Sequence, residues 1–128
     1  MLKALELDPQ NASAQFQLGL TLMALKDSPK AIEAYRKAVE LDPQQSEAYF
    51  NLGFIYATQR DFSRAEEAYG QVVRLSPSYL DEALFNLALV QEKQGKKKQS
   101  KENLERALKV NPRNEIARKY LNKLNTES

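Results

Sequence analysis

The sequence contains no cysteine and no histidine among its 128 residues. Without thiolate or imidazole, zinc sites built on those ligands are excluded, as are cysteine nucleophiles, histidine general bases and disulfides. Long apolar runs are missing too. No stretch approaches the roughly 18 residues that a membrane span needs. The opening Met1-Leu2-Lys3-Ala4-Leu5-Glu6 has no apolar core of signal-peptide length. Nor is one sign of charge in excess: 19 basic residues face 17 acidic ones, for a formal net charge of +2. That balance does not supply the strongly basic face a nucleic-acid reader wants. No nucleic acid, metal or cofactor is therefore expected. The cytoplasm is the expected compartment, although a chain without cysteine folds in either redox setting.

What the sequence does have is a period, and a fixed period outranks local propensity. Pro9, Pro43, Pro77 and Pro112 recur at intervals of 34, 34 and 35 residues. Each closes a similar phrase, as in Lys37-Ala38-Val39-Glu40-Leu41-Asp42-Pro43 and Arg106-Ala107-Leu108-Lys109-Val110-Asn111-Pro112. Proline cannot continue a helix and biases the residue before it toward extended backbone, so these four mark helix ends. Leu18-Gly19 returns as Leu52-Gly53 and as Leu87-Ala88, where a small residue lets two helices approach. Ala31, Ala65 and Ser100 form another column, Tyr35, Tyr69 and Leu104 a third, and Ala38, Val72 and Ala107 a fourth. Large and small residues thus alternate as a packed helix pair requires. Apolar residues recur at three and four rather than two, which excludes strands.

The columns divide the chain into units at 12–45, 46–80 and 81–114, with Leu80 as a single insertion closing the second. Residues 1–11 match the end of a preceding unit, and 115–128 form a terminal helix and tail. Turns are expected at Lys26-Asp27-Ser28, Gln59-Arg60-Asp61 and Gln94-Gly95-Lys96. Ser28 before Pro29 reads as an N-cap, and Ser46 and Asp81 read as caps of the next first helices. Leu2, Leu5 and Leu7 match columns that elsewhere face a partner helix, so the natural protein is expected to begin upstream. A short docked helix at a native start is the alternative. In the terminal helix Ile116, Tyr120, Leu121 and Leu124 share one face and Arg118, Lys119, Asn122 and Lys123 the other, the pattern of a sealing element. Residues 125–128 are expected to fray.

The period, the small-residue columns, Tyr35 and Tyr69, and the terminal Asp-Pro resemble the tetratricopeptide repeat, over nearly the whole chain. The resemblance implies an all-α fold, an α-solenoid of antiparallel helix pairs in a right-handed superhelix, and a scaffold rather than an enzyme. The third copy departs most, at Ala88, Gln91, Ser100 and its lysine-rich turn, so the last pair is expected to pack less tightly. No Gly-rich phosphate loop is present. The acids Glu66-Glu67 and Asp81-Glu82 fit helix surfaces and starts.

In such solenoids the first helices line the concave side. Helical spacing then puts Ser13, Phe16, Leu20, Met23 and Ala24 on the groove face of unit one. Unit two offers Glu47, Phe50, Phe54, Ala57 and Thr58, and unit three Glu82, Phe85, Leu89, Glu92 and Lys93. Phe16, Phe50 and Phe85 form one ladder and Leu20, Phe54 and Leu89 a second. A contiguous apolar patch of this kind points to an interaction site for an apolar peptide or helix. The Phe16 column serves equally well as packing between helices. Glu47, Glu82 and Glu92 at the margin would favour a partner with Lys or Arg nearby. Gln17, Asn51 and Asn86 form a polar edge that either bonds a ligand backbone or serves neighbouring groups. Chaperone-binding members of the family grip a C-terminal carboxylate with a basic and amide clamp. Of its positions only Asn51 fits, while Phe16, Leu20, Glu82 and Asn86 do not. Self-assembly into homo-oligomers, through the incomplete first unit or the groove, is the alternative. Lys93, Lys96, Lys97, Lys98 and Lys101 read as a solvated turn, since no aromatics interleave them.

Overall fold

The computed structural model describes residues 10–127, and among them lie seven α-helices and no strand. They are α1 (Ala12–Ala24), α2 (Ser28–Leu41), α3 (Ser46–Thr58), α4 (Phe62–Leu75), α5 (Leu80–Lys93), α6 (Lys97–Val110) and α7 (Glu115–Thr126). Each packs most heavily within its pair, α1 on α2, α3 on α4 and α5 on α6, and then on the pair that follows. The result is an all-α solenoid of antiparallel helix pairs. No helix among the described residues is long and apolar enough to cross a membrane. Residues 1–9 lie outside the described residues, so the readings of Leu2, Leu5 and Leu7 fall outside them too.

The pairs close on the small-residue columns. Ala31, Tyr35, Ala38, Ala65, Val72, Leu104 and Ala107 have no exposed surface, and Tyr69 retains 2%. Tyr35 lies across Gly19, where an added Cβ would meet its ring at 2.5 Å. Ala88 faces no tyrosine, because its column partner is Leu104, and both are fully buried. The third pair is therefore as closed as the others, against expectation. Its polar residues are absorbed by bonds: Ser100 Oγ donates to the Ala88 carbonyl at 2.8 Å and Asn103 Nδ2 to Gln91 Oε1 at 2.8 Å.

The helices stop where the prolines say. Asp42 and Asn111, the residues before Pro43 and Pro112, are extended with φ near −140° (−141° and −139°). The connection carrying the extra residue differs: Ser76 adopts left-handed φ 49°, ψ 59°, and Leu80 becomes the first residue of α5. The caps shift from their sequence assignments. Asp27, not Ser28, accepts from the Lys30 amide, and Asp61 accepts from Arg64 in the same way. Aspartate offers a charged acceptor to the exposed amides of the first turn, and Pro29 already lacks one. Ser46 lies inside α3 and shares a 2.8 Å hydrogen bond with the Tyr79 hydroxyl. Asp81 lies inside α5 and accepts from Asn111 and Asn114, at 3.0 and 2.9 Å. Both side chains tie one pair to the next instead of capping their own helix.

In α7 the buried residues are Ala117 and Leu124, while Ile116 is 65% exposed. Ile116 thus lies off the packed face, which Tyr120 and Leu121 share. Asn114 caps α7 through the Ala117 amide, and the helix continues through Asn125 and Thr126 rather than fraying there.

Candidate functional site

The first helices α1, α3 and α5 are apolar around much of their circumference, so burial on their neighbours leaves apolar residues facing water. Phe54 is 51% exposed and Leu20 37%, and Leu89 is half-buried. A cavity of about 270 Å³ opens between α3 and α5. Phe54, Ala57 and Thr58 form one wall, Asn86, Leu89, Val90 and Lys93 the other, and Phe62 and Tyr69 of α4 also line it. Helical spacing in the first helices alone did not point to these two α4 residues as cavity lining. Their register one repeat from Ser28 and Tyr35 was the available signal.

The Phe ladder is taken up by packing. Phe16 stacks on Tyr35 with centroids 5.7 Å apart. Phe50 sits between Tyr69 and Tyr79 at 5.6 and 5.5 Å, and Phe85 meets Tyr120 edge-on at 6.0 Å. All three rings are half-buried. Offset and edge-to-face ring pairs add stability beyond area burial, and here each phenylalanine has a tyrosine close enough to supply one. Met23 is half-buried as well, with its sulfur accepting from the Tyr35 hydroxyl at 3.0 Å.

The polar edge is also partly spent. Asn51 Nδ2 donates to the Tyr35 hydroxyl at 3.2 Å, and Asn86 Nδ2 to the Glu82 carbonyl of its own helix at 3.1 Å. Gln17 is exposed. Glu47 and Glu82 are exposed near the starts of α3 and α5, where the helix dipole favours them. Glu92 accepts a 2.8 Å hydrogen bond from Tyr120. Burial, then that bond and the charges of Glu92 and Glu127, push the Tyr120 phenol up to about 12. Burial alone takes Tyr69 to about 12.

A second, larger hollow of about 750 Å³ lies between α2 and α4, with Tyr49, Leu52 and Tyr56 of α3 between them and Arg36, Glu40, Arg64 and Glu67 on its walls. A polar cluster joins α4 to α5 and to the turn before α6. Glu66 accepts from Gln91, Gln94 and Lys96 at 3.2, 2.8 and 2.8 Å. Burial pushes the Glu66 carboxyl up, but these bonds and the Lys96 charge outweigh it and leave its pKa below the ordinary carboxylate value. Lys96, from the lysine-rich turn, is thereby committed to Glu66.

Comparison with known families agrees with this architecture. Models described as "Tetratricopeptide repeat" match residues 1–33, 46–79 and 81–114, and one described as "TPR repeat" matches 21–59. The chain belongs to the tetratricopeptide repeat family. Solved structures of similar shape belong to the same fold. MamA superposes with a TM-score of 0.86 at 28% identity, over 95% of this chain and 71% of that one. The first TPR domain of Spaghetti (RPAP3), solved bound to the HSP90 peptide SRMEEVD, gives 0.82 at 25% identity over 94% of each chain. PilF of Pseudomonas aeruginosa gives 0.86 at 26% identity, over 98% of this chain and 57% of that one. No curated protein matches the chain in sequence.

Proposed function

We propose that this tetratricopeptide repeat chain is a non-enzymatic interaction scaffold whose concave face holds a partner polypeptide by apolar side chains. The observation that carries this reading is the row Leu20, Phe54 and Leu89. These residues stand one repeat apart, with the last two flanking the cavity between α3 and α5. A half-exposed phenylalanine beside an apolar cavity gains from a ligand what it loses to water, roughly 25 cal/mol per Å² covered. Phe16, Phe50 and Phe85 support this surface from behind, and Met23, Asn51 and Asn86 border it. Glu47 and Glu82 favour a basic residue at the edge formed by the helix starts. Peptide binding by the similar RPAP3 domain supports the scaffold role. A carboxylate clamp is not part of the proposal, because Phe16, Leu20, Glu82 and Asn86 stand at its other positions.

The test is a photo-crosslinking residue placed at Phe54, with a control at the exposed Glu33 of α2. Adducts are expected from position 54 alone, on an apolar tract of the partner, and Phe54→Ala should lose the partner with its helical circular dichroism unchanged. Undiminished capture by Phe54→Ala would remove the groove from consideration. Light scattering addresses the self-assembly alternative. A dimer dissolved by Phe54→Glu would make the partner a second copy.

A further inference from the structure

The 750 Å³ hollow between α2 and α4 is lined by side chains that the protein leaves without partners. Its floor is one face of α3, where Tyr49, Leu52 and Tyr56 stand at i, i+3 and i+7. Tyr56 is 8% exposed, and no described residue hydrogen-bonds its hydroxyl. A buried phenol ordinarily finds a partner. Glu40 of α2 and Glu67 of α4 stand on opposite walls, both exposed and neither in an ion pair with a described residue. Of the two lining arginines, Arg64 is held by Asp61 at 3.2 Å, which leaves Arg36 alone against two carboxylates. The next unit does not repeat this arrangement. Counting the Leu80 insertion, Leu84 stands for Tyr49 and is fully buried, and Gln91 stands for Tyr56. Gln91 accepts from Asn103 at 2.8 Å and Asn103 from Arg106 at 3.2 Å, so those polar groups are satisfied within the chain. Arg74 stands for Glu40 and donates to Gln71 at 2.9 Å.

We propose that this hollow seats an arginine side chain of a second polypeptide, carried on a helix that lies between α2 and α4. The site is on the other side of α3 from Phe54 and stands apart from the groove reading. A guanidinium stacks on tyrosine rings and donates in a planar fork to carboxylates. Tyr49 and Tyr56 supply the rings, Glu40 and Glu67 the acceptors, and the Tyr56 hydroxyl a further acceptor at the floor. The methylene stem of the arginine covers Val39, Leu52 and Ala68. Lysine carries a compact, strongly hydrated charge without a planar face, so it is the weaker fit. The 750 Å³ lies within the roughly 300–1,000 Å³ of ligand sites, which leaves room for the helical turn that bears the arginine. Arg36 on the α2 wall opposes the incoming charge and limits how tightly it is held.

The test titrates the capped peptide Ac-Leu-Ala-Ala-Arg-Ala-NH2 into the full chain, followed by backbone amide NMR, beside versions with citrulline, Lys or Glu for Arg. Citrulline keeps the shape of arginine and removes its charge. The Arg peptide should shift the amides of Leu52, Tyr56 and Glu67 and bind at least about fivefold more tightly than the citrulline peptide. The Lys peptide should fall between the two. Glu40→Gln combined with Glu67→Gln changes only exposed side chains, so the fold is kept, and should bring the Arg peptide down to the citrulline level. Arg36→Gln should tighten the Arg peptide. Equal binding of the Arg and citrulline peptides, or undiminished binding to the double glutamine variant, would overturn the inference. So would preference for the Glu peptide, weakened by Arg36→Gln, which would make the hollow an anion site. Shifts confined to Leu20, Phe54 and Leu89 would put the peptide in the groove and equally end the proposal. Nα-acetylargininamide is the last arm: if it binds as tightly as the pentapeptide, the hollow takes a small solute and the polypeptide reading falls.

Discussion

Gly53 lies against the ring of Tyr69 so closely that a Cβ on Gly53 would stand 2.7 Å from Cε1. In an exposed helix, glycine to alanine gains about 1 kcal/mol. Here the buried ring stands in the way of the new methyl and must shift to admit it, so Gly53→Ala should instead cost about 1–3 kcal/mol of overpacking. The third pair shows the compensated form, with Ala88 and Leu104 both fully buried. Adding Tyr69→Leu to Gly53→Ala should therefore recover part of the loss. Urea melts of the two single variants and the double variant measure the coupling.

Leu52 and Phe54 are two residues apart and should behave oppositely. Leu52 is 4% exposed, so Leu52→Ala should cost about 2–5 kcal/mol. Phe54 is 51% exposed, and Phe54→Ala should cost under about 1 kcal/mol while weakening partner capture. Denaturant midpoints and binding, measured on the same two variants, separate stability from function.

The tight turns within the first two pairs put non-glycine residues in left-handed backbone: Lys26 at φ 61° and Arg60 at φ 63°, where the third turn has Gly95 at φ 82°. Left-handed conformation costs such a residue about 1–2 kcal/mol, partly offset by the greater unfolded-state freedom of glycine. Lys26→Gly should raise stability by about 0.5 kcal/mol, and Gly95→Ala should lower it by about 1 kcal/mol. Thermal melts give both signs.

Glu66 makes the link between the second and third units sensitive to acid. Its folded pKa lies below the ordinary 4.5, so its contribution is fully present above about that pH. It is lost as pH falls through the lowered folded value, when the proton removes the acceptor for Lys96, Gln94 and Gln91. The wild type should therefore lose more stability between pH 6 and 3 than Glu66→Gln does, as pH-dependent urea melts will report. The Lys96–Glu66 pair is only half-buried, so added salt should weaken it modestly.

The fold was written in the spacing of proline, glycine and tyrosine because each acts through backbone or volume, which a sequence displays directly. The caps were misread by one or two residues. Asp27 and Ser28 are both competent caps in sequence, and only the chain path decides between them. In α7, Ile116 drew the eye by hydrophobicity, yet Ala117 is the residue in contact. Alanine carries little apolar signal but fits where helices touch. Helical spacing picked out the positions of the first helices that the packing leaves partly open to water, Phe54 and Leu89 among them. What sequence could not reveal was how much of that face the protein uses itself. The tyrosines against Phe16, Phe50 and Phe85 come from other helices, and no pattern within one helix announces them.

The joints of this array are unequal. Between the first and second units the outer hollow is open and the contact sparse, whereas α4 and α5 meet more extensively and are bound by the Glu66 cluster. In a solenoid, cooperativity passes only from neighbour to neighbour. A thin joint lets α1 and α2 part from the remainder at lower free energy than the remainder needs to melt. On the proposed reading, the helix bearing Leu20 would then swing relative to the helix bearing Leu89, and the width between them would be adjustable.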